Sequence, residues 1–61
     1  METYGVEMYA DSESADQCIV ITICARAYAP DAAMDEALEI ARMMFRDDVT
    51  FTVLGAKLLV A

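Results

Sequence analysis

The chain has 61 residues, 59% of them hydrophobic, and its 11 acidic and 4 basic residues leave a formal net charge of -7 with no histidine. A chain this short buries only ~60% of its unfolded surface, so it builds one small core and one domain. Two cysteines without histidine make a poor zinc site, imidazole-assisted nucleophilic catalysis is excluded within one chain, and phosphate neutralisation lacks the positive charge it needs.

Residues 3–10 alternate with a period of two. Tyr4, Val6, Met8 and Ala10 lie on one side, and Thr3, Gly5, Glu7 and Tyr9 on the other, which predicts a half-buried strand. Residues 11–16 form a polar connection of turn-favouring side chains. A second strand is predicted over 17–28, with Ile19, Ile21, Ile23, Ala25 and Ala27 facing one way. Cys18, Val20, Thr22, Cys24, Arg26 and Tyr28 face the other.

Pro30 is expected to end that strand, with Asp31 as the N-cap of a helix over about 32–46. An advance of about 100° per residue gathers Met34, Ala37, Leu38, Ile40, Ala41, Met44 and Phe45 into one apolar arc, with Asp35, Glu36, Glu39, Arg42 and Arg46 opposite. Acids early and arginines late match the helix dipole. Asp47 and Asp48 then turn the chain into a third strand over 49–60, in which Val49, Phe51 and Val53 share a face. Gly55 marks a bulge, or alternatively a turn into a short fourth strand. Past a bulge, Ala56, Leu58 and Val60 resume the inward register while Lys57 and Leu59 point out.

This order predicts an α+β domain in ββαβ order: a three-stranded antiparallel sheet, strand 1 central, with one helix on one face. Strand 2 becomes an edge whose outward side carries Cys18, Val20 and Cys24. Such an edge invites a partner or a second copy, forming a homodimer through strand 2, unless a terminus folds back over it. Six strand steps of ~3.3 Å set the two cysteines about 20 Å apart, too far for an internal disulfide. They read as free, half-buried small hydrophobes, with an intermolecular bridge as the minor alternative.

The longest apolar run, Cys18 to Ala25, is too short to cross ~30 Å of hydrocarbon as a helix. Ala25-Arg26-Ala27 looks like a signal-peptidase site. However, the residues before the run carry Glu2, Glu7, Asp11, Glu13 and Asp16 and no lysine or arginine, whereas a signal peptide needs a positive start. The expectation is a cytoplasmic protein that contacts no membrane.

Tyr28-Ala29, the run Met34-Asp35-Glu36-Ala37-Leu38-Glu39-Ile40-Ala41, Phe45, and Phe51-Thr52-Val53 together resemble the small early inhibitor of bacterial RNA polymerase made by podophages. The resemblance spans about residues 17–58. It implies a three-stranded antiparallel sheet with one helix, residence in the host bacterial cytoplasm, and binding at the polymerase's DNA-entry region, against the jaw of the largest subunit. Transcription would be blocked by occlusion of the DNA channel, without chemistry. Where that family carries two arginines on its final strand, this chain has Gly55 and Lys57.

On the residues alone, a field of -7 on so small a body favours basic protein surfaces, such as those that enzymes of nucleic acid present to their substrates. Asp35, Glu36 and Glu39 form a negative patch on the helix, with Glu7 added only if its strand face allows. Asp11, Glu13 and Asp16 crowd the hairpin end. Met43 is an apolar residue on the polar helix face, suited to anchoring an interface. Lys57 is an isolated outward charge. The bland reading of these acids is solubility. The functional one is a strip that engages Arg and Lys of a host or defence protein. Three classes follow: an inhibitor of a nucleic-acid enzyme (RNA polymerase, or a CRISPR nuclease effector in an anti-defence role), a self-associating structural domain, and an accessory domain. Catalysis, cofactors, metals and direct nucleic-acid contact are not expected.

Overall fold

A computed structural model describes residues 1–59. Three strands, β1 (Glu2–Ser12), β2 (Gln17–Ala27) and β3 (Val49–Leu59), form one antiparallel sheet in the order β2-β1-β3, and a single helix, α1 (Pro30–Met44), packs on one face. The expected α+β architecture with strand 1 central is the one observed. Each strand has 11 residues, and a rise of ~3.4 Å per residue accounts for the 37 Å long axis of the molecule.

The hairpin register is regular, from Glu2 opposite Ala27 to Ser12 opposite Gln17. The strands therefore run further into the polar connection than alternation alone predicts, leaving only residues 13–16 as the turn. The Asp16 amide donates to the Glu13 carbonyl at 3.3 Å, and Asp16 takes a left-handed φ of 50°, a conformation that aspartate tolerates better than most residues. Between β1 and β3 the register shifts once: Glu7 faces Gly55 while Met8 faces Val53, so Leu54 is the inserted residue. This bulge restores Ala56 and Leu58 to the helix side, in place of a fourth strand. Val60, expected inward, lies outside the described residues.

The core is small in number and in side-chain size. Tyr4, Val6, Met8 and Ala10 of β1 are buried with Ala25 and Ala27 of β2 and with Ala33, Ala37 and Ala41 of α1. The three helix alanines recur every four residues and form one ridge. Their smallness lets the helix backbone approach the sheet, and it lies nearer the backbones of the two edge strands than that of β1. The longer Tyr4, Val6 and Met8 fill the space beneath it. Val6 and Met8 are the largest fully buried side chains.

Several expectations change here. The helix runs over Pro30–Met44, not 32–46, because Pro30 occupies its first turn and starts it. Proline suits that place, having no amide hydrogen to leave unpaired and a φ already near the helical value. Ala29 holds the N-cap position without a side-chain hydrogen bond, so Asp31 is a first-turn acid and not the cap. Correspondingly β2 stops at Ala27. Ala33, absent from the expected apolar arc, is fully buried, whereas Met44, placed in that arc, is exposed. Leu38, Phe45, Phe51 and Val53 are half-buried, and Phe45 meets Phe51 edge-on with ring centroids 5.5 Å apart.

A helix of 15 residues is ~22 Å long and cannot roof strands of ~37 Å. Two residues on the helix side of the sheet stay about half exposed as a result: Ile19 near the hairpin and Leu58 near the other end.

Candidate protein-binding surface

The sheet divides the nine candidate residues into three groups. Asp35, Glu36, Glu39 and Met43 are all exposed on the side of α1 away from the alanine ridge, and Met43 is 84% exposed. Spacings of three and four residues place Glu36 and Asp35 beside Glu39, and Glu39 beside Met43. The arrangement is an apolar side chain at the end of an acidic strip. Exposed like charges at this spacing oppose the helix mildly.

Asp11, Glu13 and Asp16 gather at the hairpin end, as expected, and all are exposed. The same end holds a small polar cluster. The hydroxyls of Ser12 and Ser14 both donate to Asp48, Ser12 at 3.3 Å, and tie the hairpin to the turn before β3. In that turn the Val49 amide donates to the Arg46 carbonyl at 3.1 Å. The hydrogen bond from Ser14 is the main cause holding the Asp48 carboxyl below its usual 3.8. Asp48 is thus a structural tie, which fits the turn role expected of it.

Glu7 does not join the helix patch. Its strand neighbours Val6 and Met8 point at the helix, so Glu7 points to the opposite, uncovered face of the sheet. There Glu7 and Lys57 both line a shallow depression of about 410 Å³, together with Gly5 and Gly55.

Cys18 and Cys24 are free and both exposed, not half-buried as expected. Val20, between them, is 54% exposed. With Thr22 they form a nearly uncharged row along the outer side of β2, ending in Arg26. Sequence reading found this row through its parity. What it did not find is a hollow of about 320 Å³ at the hairpin end, lined by Ala10, Ile19, Met44, Phe45 and Val49 with Ser12, Ser14, Gln17 and Arg46 among its polar lining. Its signal was the mismatch between helix and strand lengths.

Among the described residues there is no cluster of three or more His, Cys, Asp or Glu able to hold a metal ion, and no helix is long and apolar enough to cross a membrane. No protein-family model, curated protein or solved structure matches the chain.

Proposed function

We propose that the chain is a binding protein that occupies a basic nucleic-acid-binding surface of a larger enzyme through the outer face of α1, blocking that surface without chemistry. The observation that supports this most is the grouping of Asp35, Glu36 and Glu39 with the 84%-exposed Met43 on a single helix face. Three carboxylates steer approach to an Arg- and Lys-lined channel, and the thioether adds an adaptable apolar contact at the rim of the strip. Helix acids spaced at three and four residues offer a row of negative charge in place of phosphates.

Bacterial RNA polymerase is the first target, on the resemblance carried by Tyr28-Ala29, the Met34–Ala41 run and Phe51–Val53. In this reading Lys57, on the opposite side of the sheet from the acidic strip, makes a separate contact or none. The test is capture from bacterial extract with two baits, the native chain and the double variant Glu36→Lys, Glu39→Lys. The native chain should retain polymerase, and the variant should lose it while keeping its circular-dichroism spectrum. Equal retention by both baits would reject the helix face as the contact.

A further inference from the structure

Among the described residues β2 is an open edge of the sheet, and its sequence has a partial mirror symmetry. About Ile21, Ile19 mirrors Ile23 and Cys18 mirrors Cys24, Val20 and Thr22 are similar in shape, and Asp16 and Arg26 are opposite in charge. Two copies of a strand laid antiparallel about a central residue bring each position against its mirror position. About Ile21 that register sets Cys18 against the partner's Cys24, Ile19 against the partner's Ile23, Val20 against the partner's Thr22 and Ile21 against the partner's Ile21. At the end of the seam, Asp16, the last turn residue before the strand, comes beside the partner's Arg26.

We infer that this edge is the interface of a homodimer in which two β2 strands pair antiparallel about Ile21, joining two three-stranded sheets into one of six strands. The inference goes beyond the binding reading of α1 and stands or falls separately from it.

Four observations support the second copy as occupant. First, the edge is unguarded: β2 contains no proline, no glycine, no bulge toward the open side and one charge, Arg26. Long edges of this kind template pairing unless blunted. Second, the charge is complementary. Arg26 faces Thr3 within its own sheet, whereas across the dimer it meets the acidic hairpin end of the partner, where Asp11, Glu13 and Asp16 cluster. Third, the register keeps residues of like parity opposite each other, so both helices lie on one side of the joined sheet and every apolar inward residue stays inward. Ile19, 50% exposed beyond the reach of its own helix, and the half-buried Ile21 and Ile23 then become a continuous apolar seam between the two helices. Fourth, the outer row of Cys18, Val20, Thr22 and Cys24 is exposed and uncharged between its ends, with Arg26 as the one charge at its edge.

A shift to a centre at Thr22 sets Arg26 against Cys18 and moves Asp16 beyond the end of the partner's strand. A centre at Val20 leaves Arg26 opposite Ser14. Both lose the charge match and separate the cysteines.

The cysteines make the register measurable. Directly opposed strand residues have Cα atoms about 4.5–5.5 Å apart, within the range a disulfide spans. Diamide, which takes up two electrons and two protons for each disulfide formed, should convert the native chain into a covalent dimer on a non-reducing gel. Cys18→Ser and Cys24→Ser alone should each fail to cross-link, since the remaining like cysteines sit about 20 Å apart. Mixing the two variants should restore a cross-linked heterodimer. Cross-linking of either single variant by itself would overturn the register. Under reducing conditions, sedimentation equilibrium at high micromolar concentration should give twice the chain mass. The pair Val20→Lys, Thr22→Lys, which places lysines directly opposite lysines on an exposed row, should weaken association at least about tenfold with an unchanged circular-dichroism spectrum. A strictly monomeric native chain, or a lysine variant that associates as well as the native chain, would overturn the dimer.

Discussion

The alanine ridge of α1 makes a sharp prediction about packing. Ala37 is fully buried between Ala33 and Ala41, over Val6 and Met8, which are also without exposed surface. Ala37→Leu inserts a branched side chain where the helix packs on the sheet, among neighbours that have no exposed surface. Overpacking of this kind costs about 1–3 kcal/mol, and the absence of exposure around the site puts the expected value near ~2 kcal/mol. A chain of 61 residues has a total stability of only about 3–9 kcal/mol, so the variant loses a large share of it. In a domain this size that corresponds to a melting temperature lower by about 8–16 °C. Ala32→Leu is the control: the same substitution in the same helix, but at an exposed position, where about 0.5 kcal/mol either way is the expected limit. Thermal unfolding followed at 222 nm, at equal protein concentration, reads both. Equal shifts for the two variants would refute the close approach of helix and sheet.

Met8→Ala and Met43→Ala form a second contrast. The first empties the site of one of the largest fully buried side chains and should cost about 2–5 kcal/mol, a large share of the total stability, lowering the urea midpoint sharply; the second, on a side chain 84% exposed, should leave the midpoint where it was. Asp48 gives a pH dependence. Its folded-state value is depressed, so its stabilisation is complete above 3.8 and fades as pH falls through the lower folded value. Asp48→Asn should therefore show a shallower loss of stability on acidification than the native chain, and parallel curves would remove Asp48 from the tie between hairpin and turn. Gly5→Ala should be neutral or slightly stabilising, because the new methyl group would meet only the Leu59 and Thr22 side chains, at 3.4 Å or more, and would reduce the freedom of the unfolded chain. A clear drop in melting temperature would show that the lining of the outer depression needs Gly5.

Alternation in residues 3–10, 17–28 and 49–54 was enough to read the sheet, because a period of two is set by the pleat itself and survives errors in strand ends. The bulge was legible as an interruption at Gly55 that restored parity two residues later. Pro30 was misread because a proline both ends strands and begins helices, and only tertiary placement decides which. Ala33 points the same way as Ala37 and Ala41, but a helix expected to start at 32 puts it in the first turn at the margin of the arc, whereas the observed start at Pro30 brings it fully over the sheet. Met44 was over-assigned for the complementary reason: its direction is inward, but it sits at the end of a helix shorter than the sheet. The candidate surface was legible as charge on α1, while its separation from Glu7 required the strand's orientation relative to the helix. The cysteines' exposure could not be read from apolar neighbours alone, since an edge strand without a covering layer leaves even a hydrophobic row in solvent.

The proposed contact between the acidic face of α1 and a basic channel is tested most directly by the affinity of the purified chain for RNA polymerase across a series of salt concentrations, with and without channel-filling DNA. Binding that weakens steadily as salt rises, that DNA competes away, and that Glu36→Lys, Glu39→Lys reduces at least about tenfold is the predicted result. Binding that is indifferent to salt and to DNA, or no binding even at low ionic strength, would contradict it.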